Sequence, residues 1–362
     1  MEAQLEDSVQ NHERAREIKE FDESKAGVKG LVDAGMLKIP QFFVTQSNDD
    51  EMSASSYIHI PVVDLIDIKD TTRRKNIVEE IGQACEIWGF FQVVNHGIPQ
   101  EIMDEMIQGV DRFHNLPNKE KMEVYSRDVS KKVRFYSNID LYQAKSANWR
   151  DSLACQMAPH PPNLDELPKT CKEIIVEYSD HIKKLGEILF ELLAEALGLK
   201  SNHLIDMDCA KGHVLVGHYY PTCPEPDRTI GITKHTDPDF FTILLQDHIG
   251  GLQIYHQNAW VDINPLRGAL VVNLGDLFQL ISNDKFKSAE HRVLVNRAEA
   301  RLSVACFFTT HYQSFNKLYG PIKELTSEDS PPLYTETTIE DYISYYNFRG
   351  LDAGPALSYL RL

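Results

Sequence analysis

The chain has 362 residues, 42% of them hydrophobic, 9% aromatic and 25% charged, which is the composition of a globular protein with a sizeable core and excludes disordered, collagen-like and fibrous classes. Against 54 Asp and Glu it sets 37 Lys and Arg, a net charge of −17; so acidic a surface repels phosphate backbones and anionic lipid, which makes nucleic acid and membrane poor partners. The six cysteines (Cys85, Cys155, Cys171, Cys209, Cys223, Cys306) form no C-x-x-C pair and read as reduced thiols.

In chain order, residues 1–55 are polar, with a short amphipathic piece at Val28, Leu31 and Val32 and a linker-like stretch, QSNDDEMSASS. They read as an N-terminal extension or lid. The charged N-terminus carries no apolar signal stretch, and no apolar run approaches the roughly 20 residues of a membrane helix, so the cytosol is the expected compartment. From Ile60, IPVVDL reads as a buried strand. Ile77, Ile81, Ala84, Cys85 and Trp88 then recur at helical spacing up to Gly89, before the strand FFQVV. The spacing of Ile175, Tyr178, Ile182, Leu185, Leu189, Leu192 and Ala196 predicts a packing helix over about 171–199, ended by Gly198.

After His213 the texture changes. HVLVGHYY, GITKHTD, FFTILLQD, GLQIYH, AWVDI, GALVVNL, EHRVLVN and RLSVACFFTT are short β-branched and aromatic runs between turn residues, which predicts a double-sheet jelly roll or small barrel. QNA and NRAEA read as hairpin turns. The tail from about 313 is Pro-rich at SPPLY and helical at TIEDYISYYNF. The segments are therefore an extension (1–55), an α/β region (56–210), a β core (211–312) and a helical tail (313–362), the extension and tail flanking the core as possible lids.

Within the β region, His218 and Tyr220, His235 and Asp237, and Arg301 and Ser303 are spaced i, i+2, and in an extended backbone such pairs point the same way. A pocket lined by them is very polar for a core unless it binds something. His235 and Asp237 with His291 supply two imidazoles and a carboxylate, the facial set of non-haem Fe(II) oxygenases. Arg301 offers a bidentate fork for a carboxylate and Ser303 a hydroxyl to complete the grip. By strand parity Val216 and Phe307 share the inward face, and an apolar wall of this kind suits a ring-bearing substrate. Cys223 lacks a nearby base, Asn95 and His96 read as a turn with satisfied polar groups, and Gly250 and Gly251 as a tight backbone passage.

IPVVDL, WGFFQVVNHGI, YYPTCPEP, KHTDPDFFTILLQD, GGLQIYHQNAWVDINP, NLGD, EHRVLVN and RLSVACFF together resemble the plant iron- and 2-oxoglutarate-dependent dioxygenases, from about residue 55 to 350. FDESKAGVKGLVDAG and NWRDSL further resemble the subgroup of 1-aminocyclopropane-1-carboxylate oxidase homologues, which includes a deacetoxyvindoline hydroxylase and steroidal-alkaloid and benzoxazinoid hydroxylases. The resemblance implies a mainly β protein with flanking helices around a double-stranded β-helix, or jelly-roll, core. It also implies Fe(II) held by His235, Asp237 and His291, and 2-oxoglutarate held by Arg301, Ser303 and Tyr220. Ascorbate is implied as reductant, with dioxygen and a small-molecule substrate, and a monomer is expected. His218 departs from the family's N-x-Y-P pattern. Phe135, beside Tyr136 in VRFYSNIDLY, joins Val216 and Phe307 as a substrate-pocket candidate.

The implied reaction couples decarboxylation of 2-oxoglutarate, to succinate and carbon dioxide, with hydroxylation of a small specialised metabolite; desaturation, ring closure, demethylation or epoxidation are variants of it. Alternatives are true 1-aminocyclopropane-1-carboxylate oxidase activity, which uses ascorbate in place of 2-oxoglutarate, oxidation of a hormone, and a regulatory small-molecule-binding protein without turnover.

Overall fold

The computed structural model describes residues 2–45, 58–310, 316–351 and 354–362. The stretch QSNDDEMSASS, read as a linker, lies outside them. The eight strand-like runs after His213 form eight strands: β5 (Gly212–Tyr220), β6 (Ile232–His235), β7 (Phe241–Gln246), β8 (Leu252–His256), β9 (Ala259–Asp262), β10 (Leu270–Leu274), β11 (His291–Val293) and β12 (Arg301–Thr309). They are dealt into two facing sheets. The minor sheet runs β6-β11-β8-β9; the major sheet carries β10-β7-β12-β5 at its centre.

The major sheet is widened to eight strands by β1 (Val62–Asp64) and β2 (Phe90–Val94) on one side, and by β4 (Asp151–Ala158) and β3 (Val133–Ser137) on the other. The region before residue 211 thus shares a sheet with the β core. β1 is an edge strand, with Val62 48% exposed; the IPVVDL run is half-buried because it pairs on one side only, in parallel with β2. Gln257 and Asn258, both at positive φ, make the tight β8–β9 hairpin. NRAEA, in contrast, is no hairpin turn: β11 pairs with β6 and β8, while β12 pairs with β5 and β7. It carries the chain from one sheet to the other.

Helices cover the back of the major sheet. After α1 (Glu2–Ser24) and α2 (Gly27–Asp33) come α3 (Thr71–Ile87), α4 (Gln100–His114), α5 (Asn118–Lys121) and α6 (Lys172–Ala196). α6 buries Ile175, Tyr178, Ile182, Leu185, Leu189 and Leu192 along one stripe, each contributing on the order of 2 kcal/mol by removal from water. It passes so close to β12 that a Cβ on Gly186 would lie 2.2 Å from the Phe308 ring; only glycine fits that crossing. Three short elements complete the set: α7 (His203–Asp206), α8 (Asp276–Ile281) and α9 (Ile339–Arg349), with a two-stranded ladder of β13 (Leu318–Tyr319) and β14 (Thr337–Thr338) before α9.

The N-terminal extension packs on the outside of the sheet edge. Ile18, Phe21, Val28, Phe42 and Phe43 form a cluster with Leu141 and Trp149. The buried Asp151 carboxylate accepts from the Val28 and Lys29 amides, each at 2.8 Å, and latches α2 onto β4. No helix among the described residues is long and apolar enough to cross a membrane.

Candidate active site

Between the two sheets lies a cavity of about 760 Å³. Its floor is the inward face of the major sheet, read off by alternation: Val214, Val216, His218 and Tyr220 on β5, Arg301, Ser303, Ala305 and Phe307 on β12, and Thr242 and Leu244 on β7. The minor sheet supplies Ile232, His235, His291 and Val293 opposite.

His235 ends β6 and His291 begins β11, where the two are cross-strand partners with ring centroids 4.2 Å apart. Asp237 lies just beyond the end of β6, yet its Oδ1 comes within 3.6 Å of the Nε2 of both imidazoles. The surroundings select which atoms remain free. His235 Nδ1 is 2.8 Å from the Thr233 carbonyl and His291 Nδ1 is 3.1 Å from the Ala289 carbonyl; each Nδ1–H donates there, which leaves Nε2 as the lone-pair donor on both rings. Asp237 Oδ2 accepts from Thr242 Oγ1 at 2.6 Å and Asn273 Nδ2 at 2.7 Å, so Oδ1 is the free carboxylate oxygen.

Burial works against charge on Asp237, but positive charge on the flanking imidazoles of His291 and His235, where they carry it, and the Thr242 hydroxyl favour the ionised form and hold its pKa below the carboxylate range. Burial, reinforced by His235, lowers His291 to about 4, which favours the neutral, ligating form. The three free donor atoms lie within 4.8 Å of one another. Two imidazole nitrogens and one carboxylate oxygen on one side of a point are a fitting set for Fe(II) with open positions left over.

The other end of the cavity is built to grip a carboxylate. Arg301 is 2% exposed. Its Nε donates to the Gly250 carbonyl at 2.7 Å, one terminal nitrogen to Ser303 Oγ at 3.0 Å and the other to Gln246 Oε1 at 3.1 Å. All these acceptors are neutral, so the guanidinium is oriented without being neutralised. A buried cation in that state is a receptor for an anion. Tyr220, its cross-strand neighbour, places its ring 5.1 Å from the guanidinium. Gly250 and Gly251, both at positive φ, form the tight passage that aims the carbonyl at Arg301.

Val216 and Phe307 line the cavity as well, Phe307 level with Thr242. Phe135 does not. Along β3 it faces the opposite side from Tyr136, lies fully buried against Phe113 and Tyr125 in the helix-side core, and leaves Tyr136 to line the cavity. His218 lines it as well, with Nδ1 2.9 Å from Ser152 Oγ; burial, with Arg150 and Arg301 nearby, pushes its pKa well below the ordinary imidazole value, so it is neutral. Thr242, Asn273, Gln246 and Arg150 went unread in the sequence. Asn273 had a signal, as the single polar residue in LVVNL.

α9 closes the cavity from above with Ile343, Tyr346 and Asn347, and Tyr346 Oη donates to the Thr236 carbonyl at 2.7 Å. No described residue of the N-terminal extension lines the cavity, whereas the tail does. Asn95, at positive φ, donates to Asp64 Oδ1 at 2.7 Å, and His96 Nε2 lies 3.1 Å from the Gly268 carbonyl; both serve a turn. All six cysteines are buried and free.

A jelly roll with this donor triad and a buried arginine facing it defines a non-haem iron oxygenase, and comparison with known proteins agrees. Residues 211–310 match the 2OG-Fe(II) oxygenase superfamily, and residues 60–173 match the non-haem dioxygenase in morphine synthesis N-terminal family. The chain is 52% identical to 1-aminocyclopropane-1-carboxylate oxidase homolog 1 of Arabidopsis thaliana over 97% of both chains. It is 49% identical to deacetoxyvindoline 4-hydroxylase of Catharanthus roseus, over 98% of this chain and 91% of that one. The crystal structure of JOX2 in complex with 2OG, Fe and JA superposes with a TM-score of 0.82 at 29% identity, over 93% of this chain and 97% of that one. The chain belongs to the 2OG-Fe(II) oxygenase superfamily and is an Fe(II)- and 2-oxoglutarate-dependent dioxygenase.

When bound, iron and 2-oxoglutarate supply the oxidising chemistry, in which the co-substrate is decarboxylated to succinate and carbon dioxide. The protein's own part is placement. His235, Asp237 and His291 would hold the metal, their orientation fixed by Thr233, Ala289, Thr242 and Asn273. Arg301 and Ser303 would hold the distal carboxylate of the co-substrate. The apolar side chains of the cavity, with α9 above, exclude water from the reacting carbon.

Proposed function

We propose that this dioxygenase hydroxylates a small, ring-bearing specialised metabolite, an alkaloid, steroidal alkaloid or related compound, in the cytosol and as a monomer. The observation that carries the reading is the cavity wall beside the triad, where Val214, Val216, Ala305, Phe307 and Leu244 present an apolar surface to a space of about 760 Å³, the dimensions of a drug-sized ligand site. Near-full-length identity of 49% to deacetoxyvindoline 4-hydroxylase supports it. A second reading, oxidation of a small hormone, is favoured by the TM-score of 0.82 to JOX2 in complex with JA.

The test is substrate-free succinate release from 2-oxoglutarate with Fe(II) and ascorbate, comparing the wild type with Asp237→Ala and Arg301→Ala. Turnover that falls in both variants supports a working metal and co-substrate site and opens a screen of alkaloid, steroid, benzoxazinoid and hormone libraries. A protein that neither releases succinate nor binds iron and 2-oxoglutarate without oxygen sinks the proposal and favours the ascorbate-using oxidase or a regulatory binder.

A further inference from the structure

Arg150 sits one residue before β4, with its side chain in the cavity and only 6% exposed. Neighbours on both sides fix it there. Trp149 is fully buried and its amide donates to the Ile230 carbonyl, Asn148 Oδ1 accepts from the Thr233 amide and hydroxyl, each at 2.8 Å, and Asp151 turns to the opposite face to hold α2. Despite this, Arg150 Nε is buried with no hydrogen-bond partner, and no carboxylate pairs with the guanidinium among the described residues.

A guanidinium walled in by protein, with its Nε buried and unpartnered, is poorly solvated unless an anion arrives to meet it. The co-substrate is already provided for. Arg301 stands on β12, with β5 lying between that strand and β4, so the backbones carrying the two arginines are roughly 10 Å apart at ordinary strand spacing. Arg150 therefore lies on the β4–β3 side of the cavity, across β5 from Arg301. The same side holds Arg134 on β3, its guanidinium 5.3 Å from the Tyr136 ring, and Lys131 and Lys132 at the rim. The cavity's acidic residues are Asp237 and Asp239 at the metal end and Glu340 on the lid. In a chain of net charge −17, this positive wall marks a local preference for anions.

We propose that Arg150 anchors a carboxylate, or an equivalent anionic group, on the substrate, with Arg134 adding attraction from the next strand. The inference rests on the hydroxylase reading and narrows it: the substrate is an apolar ring body with an acidic end, which favours a ring acid, or an alkaloid that also carries a carboxylate, over a simple basic amine.

The test measures binding without turnover, in full-length protein loaded with Mn(II) and 2-oxoglutarate. Hydrocinnamate, hydrocinnamamide and phenylpropylamine, which share one apolar body, are titrated by calorimetry. The acid is expected to bind about tenfold more tightly than the amide or the amine. Arg150→Gln should abolish that preference, Arg150→Lys should restore part of it, and Arg134→Gln should weaken it. Affinity for 2-oxoglutarate should stay within about twofold throughout. The proposal is overturned if the wild type shows no preference for the acid, if the preference survives Arg150→Gln, or if that variant loses 2-oxoglutarate instead, which would assign Arg150 to the co-substrate. Should Arg150→Gln fail to fold, Arg150→Lys and Arg134→Gln decide, an unchanged acid preference in both counting against. Because no step depends on turnover, failure here is separate from failure to release succinate.

Discussion

From β10 of the major sheet Asn273 donates its side-chain amide to Asp237 Oδ2 at 2.7 Å, and from the neighbouring β7 Thr242 donates its hydroxyl to the same oxygen at 2.6 Å. With that oxygen doubly occupied, Oδ1 is the oxygen left to meet a metal. Partners of this kind typically hold 10- to 100-fold of metal affinity. Asn273→Ala and Thr242→Val should each weaken Fe(II) by about that factor, while Asp237→Ala removes tight binding altogether. Chelator competition with the intact protein reads the difference; equal affinity in wild type and Asn273→Ala would mean that the carboxylate orients itself.

Gly251 illustrates how the backbone serves the co-substrate. Its φ is +92° and a Cβ there would lie 3.0 Å from the Leu294 carbonyl oxygen and 3.9 Å from Arg301 Cδ. Gly251→Ala strains the passage that presents the Gly250 carbonyl to Arg301. A loss of about 1–2 kcal/mol of stability is expected, with a raised KM for 2-oxoglutarate at unchanged iron affinity. The pair of readings matters, because a general unfolding effect moves both.

Tyr346 ties α9 to the Thr236 carbonyl, one residue from His235 of the candidate metal triad. Tyr346→Phe keeps the ring that lines the cavity and deletes the tether. The lid should then open more often, so succinate released per product formed should rise while 2-oxoglutarate affinity stays constant. An unchanged ratio would show that packing alone keeps α9 closed.

Parity in unbroken strands made much of this site legible. β5 and β12 each run nine residues, so counting by twos from His218 and Arg301 places Val216 and Phe307 on the inward face. Where the strand stops, counting fails. Asp237 lies past the end of β6, and its position rests on Thr242 and Asn273 rather than on alternation. Phe135 and Tyr136 are both aromatic, and nothing in VRFYS says which faces the helices; the pairing of β3 with β4 decides it. β4 itself is buried along nearly its whole length on both faces, so DSLACQMA shows no polar alternation. α1 is largely charged and carries little apolar periodicity, so its helix is hidden as well.

Two buried histidines set an acid limit. His114 lies among Phe113, Phe135 and Tyr219, and burial, with Lys121 adding to it, lowers its pKa to about 3. His213 is stacked on Phe308, and burial, with Lys183, lowers it to about 3 as well. Below about pH 6.5 the unfolded chain takes up a proton at each site while the folded chain stays neutral down to about pH 3, so stability falls as the pH falls through that window. Each site costs about 1.4 kcal/mol per pH unit. His114→Phe keeps a ring among the aromatic neighbours and removes one titrating group. Denaturant unfolding at a series of pH values should show its stability declining less steeply than the wild type between about pH 6 and 4, and parallel curves would mean that His114 is not neutral in the folded protein.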